Sequence, residues 1–209
     1  EVEIIELMAK SIGRSILEGR MQEARERAEA LEHDRSQVLE MVAKDQPLRT
    51  VLDKIVAMVE RQAPELSATV HEVRDGRISC LSAPSMPEAY WRRATHIPVP
   101  QRKGCCFSAA YTRRTEIAET HAVRCQASES DCTHEFCWQA CGASPIVSGA
   151  GELLGVLCVY WRLAVRPWVV APDILEMASH LAAIAMEHRT LTDRLAYQAQ
   201  QVAERHEFV

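Results

Sequence analysis

Several things are missing from this chain of 209 residues, and each absence narrows its class. No uninterrupted apolar run approaches the ~18 residues a membrane span requires, so no membrane partner is expected of this stretch. The opening Glu-Val-Glu-Ile-Ile-Glu lacks the charged-then-apolar pattern of a signal peptide and reads like the middle of a helix. The chain is therefore taken as an excised piece of a larger cytoplasmic protein. A basic stripe is also lacking. Lys plus Arg number 24 against 29 Asp plus Glu, a formal net charge of −5, which argues against nucleic acid as a partner. Proline is absent from about Val2 to Ala43, and only Gly13 and Gly19 interrupt that run. Cysteine is present in number, yet no Cys-x-x-Cys pair occurs, which argues against a standard zinc ribbon.

What is there in abundance sits in one stretch. Six of the eight cysteines lie between Gly104 and Cys141: Cys105, Cys106, Cys125, Cys132, Cys137 and Cys141. His121 and His134 are interleaved with them. A large, helix-rich chain without a signal has little use for a disulfide scaffold. Reduced thiols, metal ligation or redox switching are the expected uses.

The rest reads as scaffold. Residues 2–43 are rich in helix formers, and from Met21 the apolar positions step through Ala24, Ala28, Leu31, Val38 and Val42. That three-and-four spacing describes either a coiled-coil seam or an amphipathic helix lying on its own domain. Ile5, Met8, Ile12 and Ile16 present a wider face out of phase with it. Asp45-Gln46-Pro47 should end this helix, with Pro47 in the first turn of the next, which runs to about Gln62. Ser67–Val73 and Arg77–Leu81 read as a hairpin around Arg74-Asp75-Gly76. Ser85 is the expected cap of a helix through Tyr90 and Trp91, and His96–Pro100 an extended sheet edge. A short helix should run from Cys106 or Phe107 to Arg113, with a strand at Glu116–Glu119. A helical turn or two is expected at His134–Ala140, and strands at Ala143–Val147 and Leu153–Trp161. The final helix opens at Pro172-Asp173. Its stripe of Leu181, Ile184, His188, Leu191, Leu195, Gln198 and Val202 suggests a second seam and a parallel homodimer.

Particular words in this order resemble a GAF domain over about residues 36–190. Leu48–Glu60 looks like its first helix, and Ala83-Pro-Ser-Met-Pro-Glu-Ala-Tyr90 is similar to a GAF run of bacterial signalling proteins. Cys106-Phe-Ser-Ala-Ala-Tyr111, Ala140-Cys-Gly-Ala-Ser-Pro-Ile146 and Leu153–Trp161 are similar to other GAF words. The resemblance implies an α+β fold: a central antiparallel sheet with packed helices and a pocket on one face under a small helix and loop, to which the three-and-four spacing adds long coiled-coil helices at both ends. It implies a sensory role, with residues 1–45 as a signalling helix, 46–190 as the GAF domain, and 191–209 as a linker. That linker resembles those leading to GGDEF or kinase outputs. Phe107 and Gly142 depart from the family pattern, as do the added Cys125, Cys132 and Cys137.

Cys80 and Cys158 lie among apolar strand neighbours and are read as small buried hydrophobes. The six clustered cysteines are candidate cofactor ligands. If residues 134–141 are helical, His134, Cys137 and Cys141 share one face, as His121 and Cys125 could on another. Cys106, Cys125, Cys132, Cys137, Cys141, His121 and His134 are thus candidate ligands of a metal or an iron–sulfur cluster. A thiol–disulfide switch is the alternative. An enzyme resembling the GAF-fold free-methionine sulfoxide reductases is a third reading, with Cys106 resolving and Cys137 or Cys141 attacking. A bilin photosensor would want a Cys-His pair, which the sequence lacks.

Overall fold

The computed structural model describes residues 2–63, 65–98, 104–119, 138, 140–161 and 172–207, without the side chains of 2–10, 12, 93, 118–119, 172 and 205–207. Two compact units emerge, Glu1–Gln37 and Val38–Val209. The first is a bare helix. It is most of α1 (Val2–Ala43), a run that no proline breaks. Its surface carries i,i+4 ion pairs such as Arg14–Glu18 and Arg25–Glu29. The side chains of Ile5, Met8 and Ile12 lie outside the described residues. Ile16 and Met21 are exposed, whereas Val38 and Val42, at the end of the same helix, are buried in the second unit.

In the second unit, α2 (Leu48–Glu60) follows Pro47, which caps the helix from outside rather than occupying its first turn. Its apolar spacing buries Val51, Leu52, Ile55, Val56, Met58 and Val59. Each such side chain contributes about 1.5–3 kcal/mol by leaving water. The hairpin of β1 (Leu66–Arg74) and β2 (Arg77–Ser82) closes on Asp75 at φ 51° and Gly76 at φ 69°. Positive φ at both turn residues is what a two-residue type I′ loop demands. Four further strands are β3 (Ile97–Pro98), β4 (Glu116–Glu119), β5 (Ala140–Val147) and β6 (Leu153–Trp161). Together the six form one sheet in the order β3-β2-β1-β6-β5-β4, with antiparallel pairing throughout. Of the two prolines expected at a sheet edge, Pro98 pairs at the end of β3, and Pro100 lies outside the described residues.

Strand periodicity sorts the two faces. Leu157, Val159 and Trp161 of β6 are buried on the side of α2 and the long α5 (Pro172–Glu207), beside Leu175, Ala178 and Leu181. Val156, Cys158 and Tyr160 face the other way, into a cluster with α3 (Glu88–Arg93) and α4 (Cys105–Thr112). Three local expectations are corrected. Ser85 does not cap α3. Pro87 holds that position, and the Ser85 hydroxyl donates to Glu60 instead. The short helix begins at Cys105 rather than Cys106 or Phe107. And β5 begins at Ala140, so Cys141 lies on a strand and cannot share a helical face with His134 and Cys137.

Candidate functional site

Glycine starts the site. Gly104 has φ 145°, a conformation side-chain-bearing residues avoid, and its carbonyl accepts from Ser108 N to open α4. Cys105 thereby becomes the first residue of α4 and points into the interior, with Cys106 half-buried beside it. Cys141 comes from β5, where Ala118 of β4 on one side and Tyr160 of β6 on the other fix its register.

These two elements bring Cys105 Sγ to 2.9 Å from Cys141 Sγ and to 3.5 Å from the Cys141 carbonyl oxygen. Both residues are buried. The hydrogen bond shared with Cys105 first, and burial second, push the Cys141 thiol far up. A separation of 2.9 Å is tight for two unbonded sulfurs, while the covalent distance is about 2.05 Å. Tetrahedral zinc, with bonds of about 2.3 Å, would hold two thiolates roughly 3.8 Å apart, farther than this pair stands. Among the described residues, no group of three or more His, Cys, Asp or Glu is placed to hold an ion. Of the predicted ligands, Cys105, Cys106 and Cys141 are thus located. Cys125, Cys132, Cys137, His121 and His134 lie outside the described residues.

Beside the thiol pair, on the same sheet face, lies a polar group that sequence reasoning missed. Thr69 Oγ1 and Tyr90 Oη stand 2.9 and 3.0 Å from His71 Nε2, and Tyr90 Oη is 3.0 Å from Tyr160 Oη. Trp138 stacks on Tyr160 at 4.3 Å between ring centroids and meets Tyr90 edge-on at 5.8 Å. His71 Nδ1 is buried without a hydrogen-bond partner. Burial lowers the His71 imidazole to about 4, so it is neutral at pH 7. Burial likewise holds the Tyr90 phenol well above its ordinary range. The available signal was the alternation Thr69-x-His71 in a strand otherwise rich in apolar residues. Cys80 and Cys158 line this face as small apolar groups, as expected, and desolvation pushes the Cys80 thiol up to about 12.

A twisted antiparallel sheet with helices on one face, and short helices over a polar, thiol-bearing centre on the other, defines an α+β domain. The GAF domain family matches residues 47–187, and the chain belongs to that family. A methyl sulfide methyltransferase-associated sensor of Methanosarcina acetivorans is 29% identical over 178 residues, covering 82% of this chain and 17% of that protein. The chain therefore spans about a sixth of that relative's length. Among solved structures, a Burkholderia vietnamiensis protein described as a GAF sensor is similar at TM-score 0.58 and 20% identity, over 78% of this chain and 94% of that one. The free methionine-R-sulfoxide reductase of Neisseria meningitidis is similar at TM-score 0.58 and 18% identity, over 79% and 91%. At such identities the likeness shows the fold alone. Among the described residues, no helix is long and apolar enough to cross a membrane.

Proposed function

We propose that this chain is the sensory GAF module of a larger cytoplasmic signalling protein and that the Cys105–Cys141 pair is its input, switching between dithiol and disulfide. The observation that carries the reading is the 2.9 Å approach of the two sulfurs across the α4–β5 junction. The Cys105 sulfur attacks a small hydroperoxide and gives up its proton. The O–O bond breaks, Cys105 becomes a sulfenic acid, and the leaving oxygen takes a proton. Cys141 sulfur then attacks the sulfenic sulfur, the S–O bond breaks, and water departs with the Cys141 proton. Two electrons pass from the sulfurs to the peroxide. Burial of both residues favours a small peroxide over a bulky disulfide oxidant.

A bond there would fasten α4 to the sheet that α5 packs against on the far side. Output would pass along α5 to a further domain, with a second copy paired through the terminal helices. The related protein's description as a sensor supports the coarse role. The reductase reading paired Cys106 with Cys137 or Cys141. Among the described residues it is Cys105, not Cys106, that meets Cys141, and Cys137 lies outside them.

The test is peroxide titration of fully reduced protein, followed by alkylation and peptide mapping. The expected product is one cross-linked peptide pair joining Cys105 and Cys141, absent in Cys105→Ser and in Cys141→Ser. If both thiols remain alkylatable in oxidised protein, the proposal fails. It also fails if anaerobically purified protein carries stoichiometric metal or iron–sulfur that Cys105→Ser removes.

A further inference from the structure

A second site lies on the far side of the sheet from the thiol pair. Ser144 alternates with Cys141 and Ala143 along β5, so it faces α5 rather than the site already described. Between the α4–β4 junction, β5 and α5 runs a cleft of about 410 Å³. That is within the roughly 300–1,000 Å³ of small-molecule sites.

Its walls are rich in donors. Arg113 ends α4 in the left-handed region, at φ 55°, and its Nη1 donates to Gly151 O at 2.8 Å, which fixes the guanidinium. Arg114 follows, exposed at the cleft. Among the described residues neither arginine pairs with a carboxylate. From α5 comes Ser179, which is buried and whose hydroxyl has no hydrogen-bond partner. A buried hydroxyl left unpaired is unfavourable unless an acceptor reaches it. The Ser144 hydroxyl oxygen accepts from Thr115 at 3.2 Å, which leaves its own proton to be given elsewhere. Two titratable groups on α5 also line the space, Glu176 and His180. One carboxylate against two permanent guanidinium charges leaves the cleft positive at neutral pH.

We propose that this cleft binds a small oxyanion, a phosphoryl or carboxylate group, held by the Arg113–Arg114 pair and by the hydroxyls of Ser179 and Ser144. Guanidinium forks suit planar or tetrahedral oxyanions, because two N–H groups meet two oxygens. Bound there, the anion ties the C-terminal end of α4 to α5, joining the helix that carries Cys105 to the exit helix. The site stands on different residues from the thiol pair and holds whether or not that pair is the input.

Calorimetric titration with inorganic phosphate, and separately with acetate, against chloride at matched ionic strength, tests it on the full chain. Saturable binding of one probe is expected, with a raised Tm that chloride does not reproduce. Phosphate alone marks a phosphoryl site and acetate alone a carboxylate site. Arg114→Gln, at an exposed position, should weaken binding about tenfold or more, as the loss of a charge-assisted hydrogen bond does. Ser179→Ala should weaken it several-fold while the ligand-free Tm is unchanged or higher, which a merely structural serine would not show. The proposal is overturned if neither probe saturates beyond chloride. It is equally overturned if both variants bind as the wild type does.

Discussion

His71 has its imidazole inside the sheet's polar face, where burial lowers it to about 4 from an ordinary 6.5. Between those values the unfolded chain takes up a proton that the folded chain refuses. Stability from the neutral ring is thus complete above about pH 6.5 and drains away as the solution is acidified toward pH 4. The full shift is worth on the order of 3 kcal/mol, about 2 of it lost by pH 5. Urea midpoints at pH 7 and pH 5 should show this drop in the wild type and a much smaller one in His71→Gln. Equal drops in both would mean that some other group controls acid stability.

The sheet depends on one close approach between strands. A Cβ on Gly155 of β6 would stand 2.2 Å from the His71 carbonyl oxygen, a backbone atom that cannot swing aside. Gly155→Ala should therefore force β1 and β6 apart and cost about 1–3 kcal/mol or more, read as a lower urea midpoint. Ala at Gly13, where nothing lies within 4 Å, should not destabilise the fold. Elements of this kind were legible in the sequence because their signals are local. Asp75-Gly76 specifies its turn, the proline-free run specifies α1, and the β-branched stretch at Leu153–Trp161 specifies β6. The start of β5 was not legible, because residues 134–141 fit a helical face of Cys and His as well as a strand. Nor was the partner of Cys141. Cys105 and Cys106 are neighbours in sequence, and only the helix start at Gly104 decides which of them turns inward. The arginine cleft was hidden for a similar reason, since its parts come from the α4–β4 junction, β5 and α5 and meet only through folding.

Across the whole molecule, the apolar stripe of the last helix divides into two uses. The spacing from Leu181 to Val202 reads as one continuous seam, but Leu181 is buried in its own core and Ile184 is half-buried. Beyond the GAF match, which ends at residue 187, Leu191 and Leu195 are 57% and 64% exposed, and Val202 is exposed as well. No core residue of this domain needs them. On the first helix, Ile16, Leu17 and Met21 are exposed in the same way, while Val38 and Val42 are buried. Apolar positions repeated at helical spacing and left in water call for a partner. A second copy in parallel supplies an identical stripe, and each exit helix then leaves beside its twin toward whatever follows. We expect a homodimer by light scattering at micromolar concentration. Leu191→Glu with Leu195→Glu should give a monomer whose Tm for the core stays within about 1–2 degrees of the wild type, since exposed positions seldom cost more than about 0.5 kcal/mol. A wild type that is already monomeric would remove the dimer, and with it any transmission that relies on two helices changing their mutual angle.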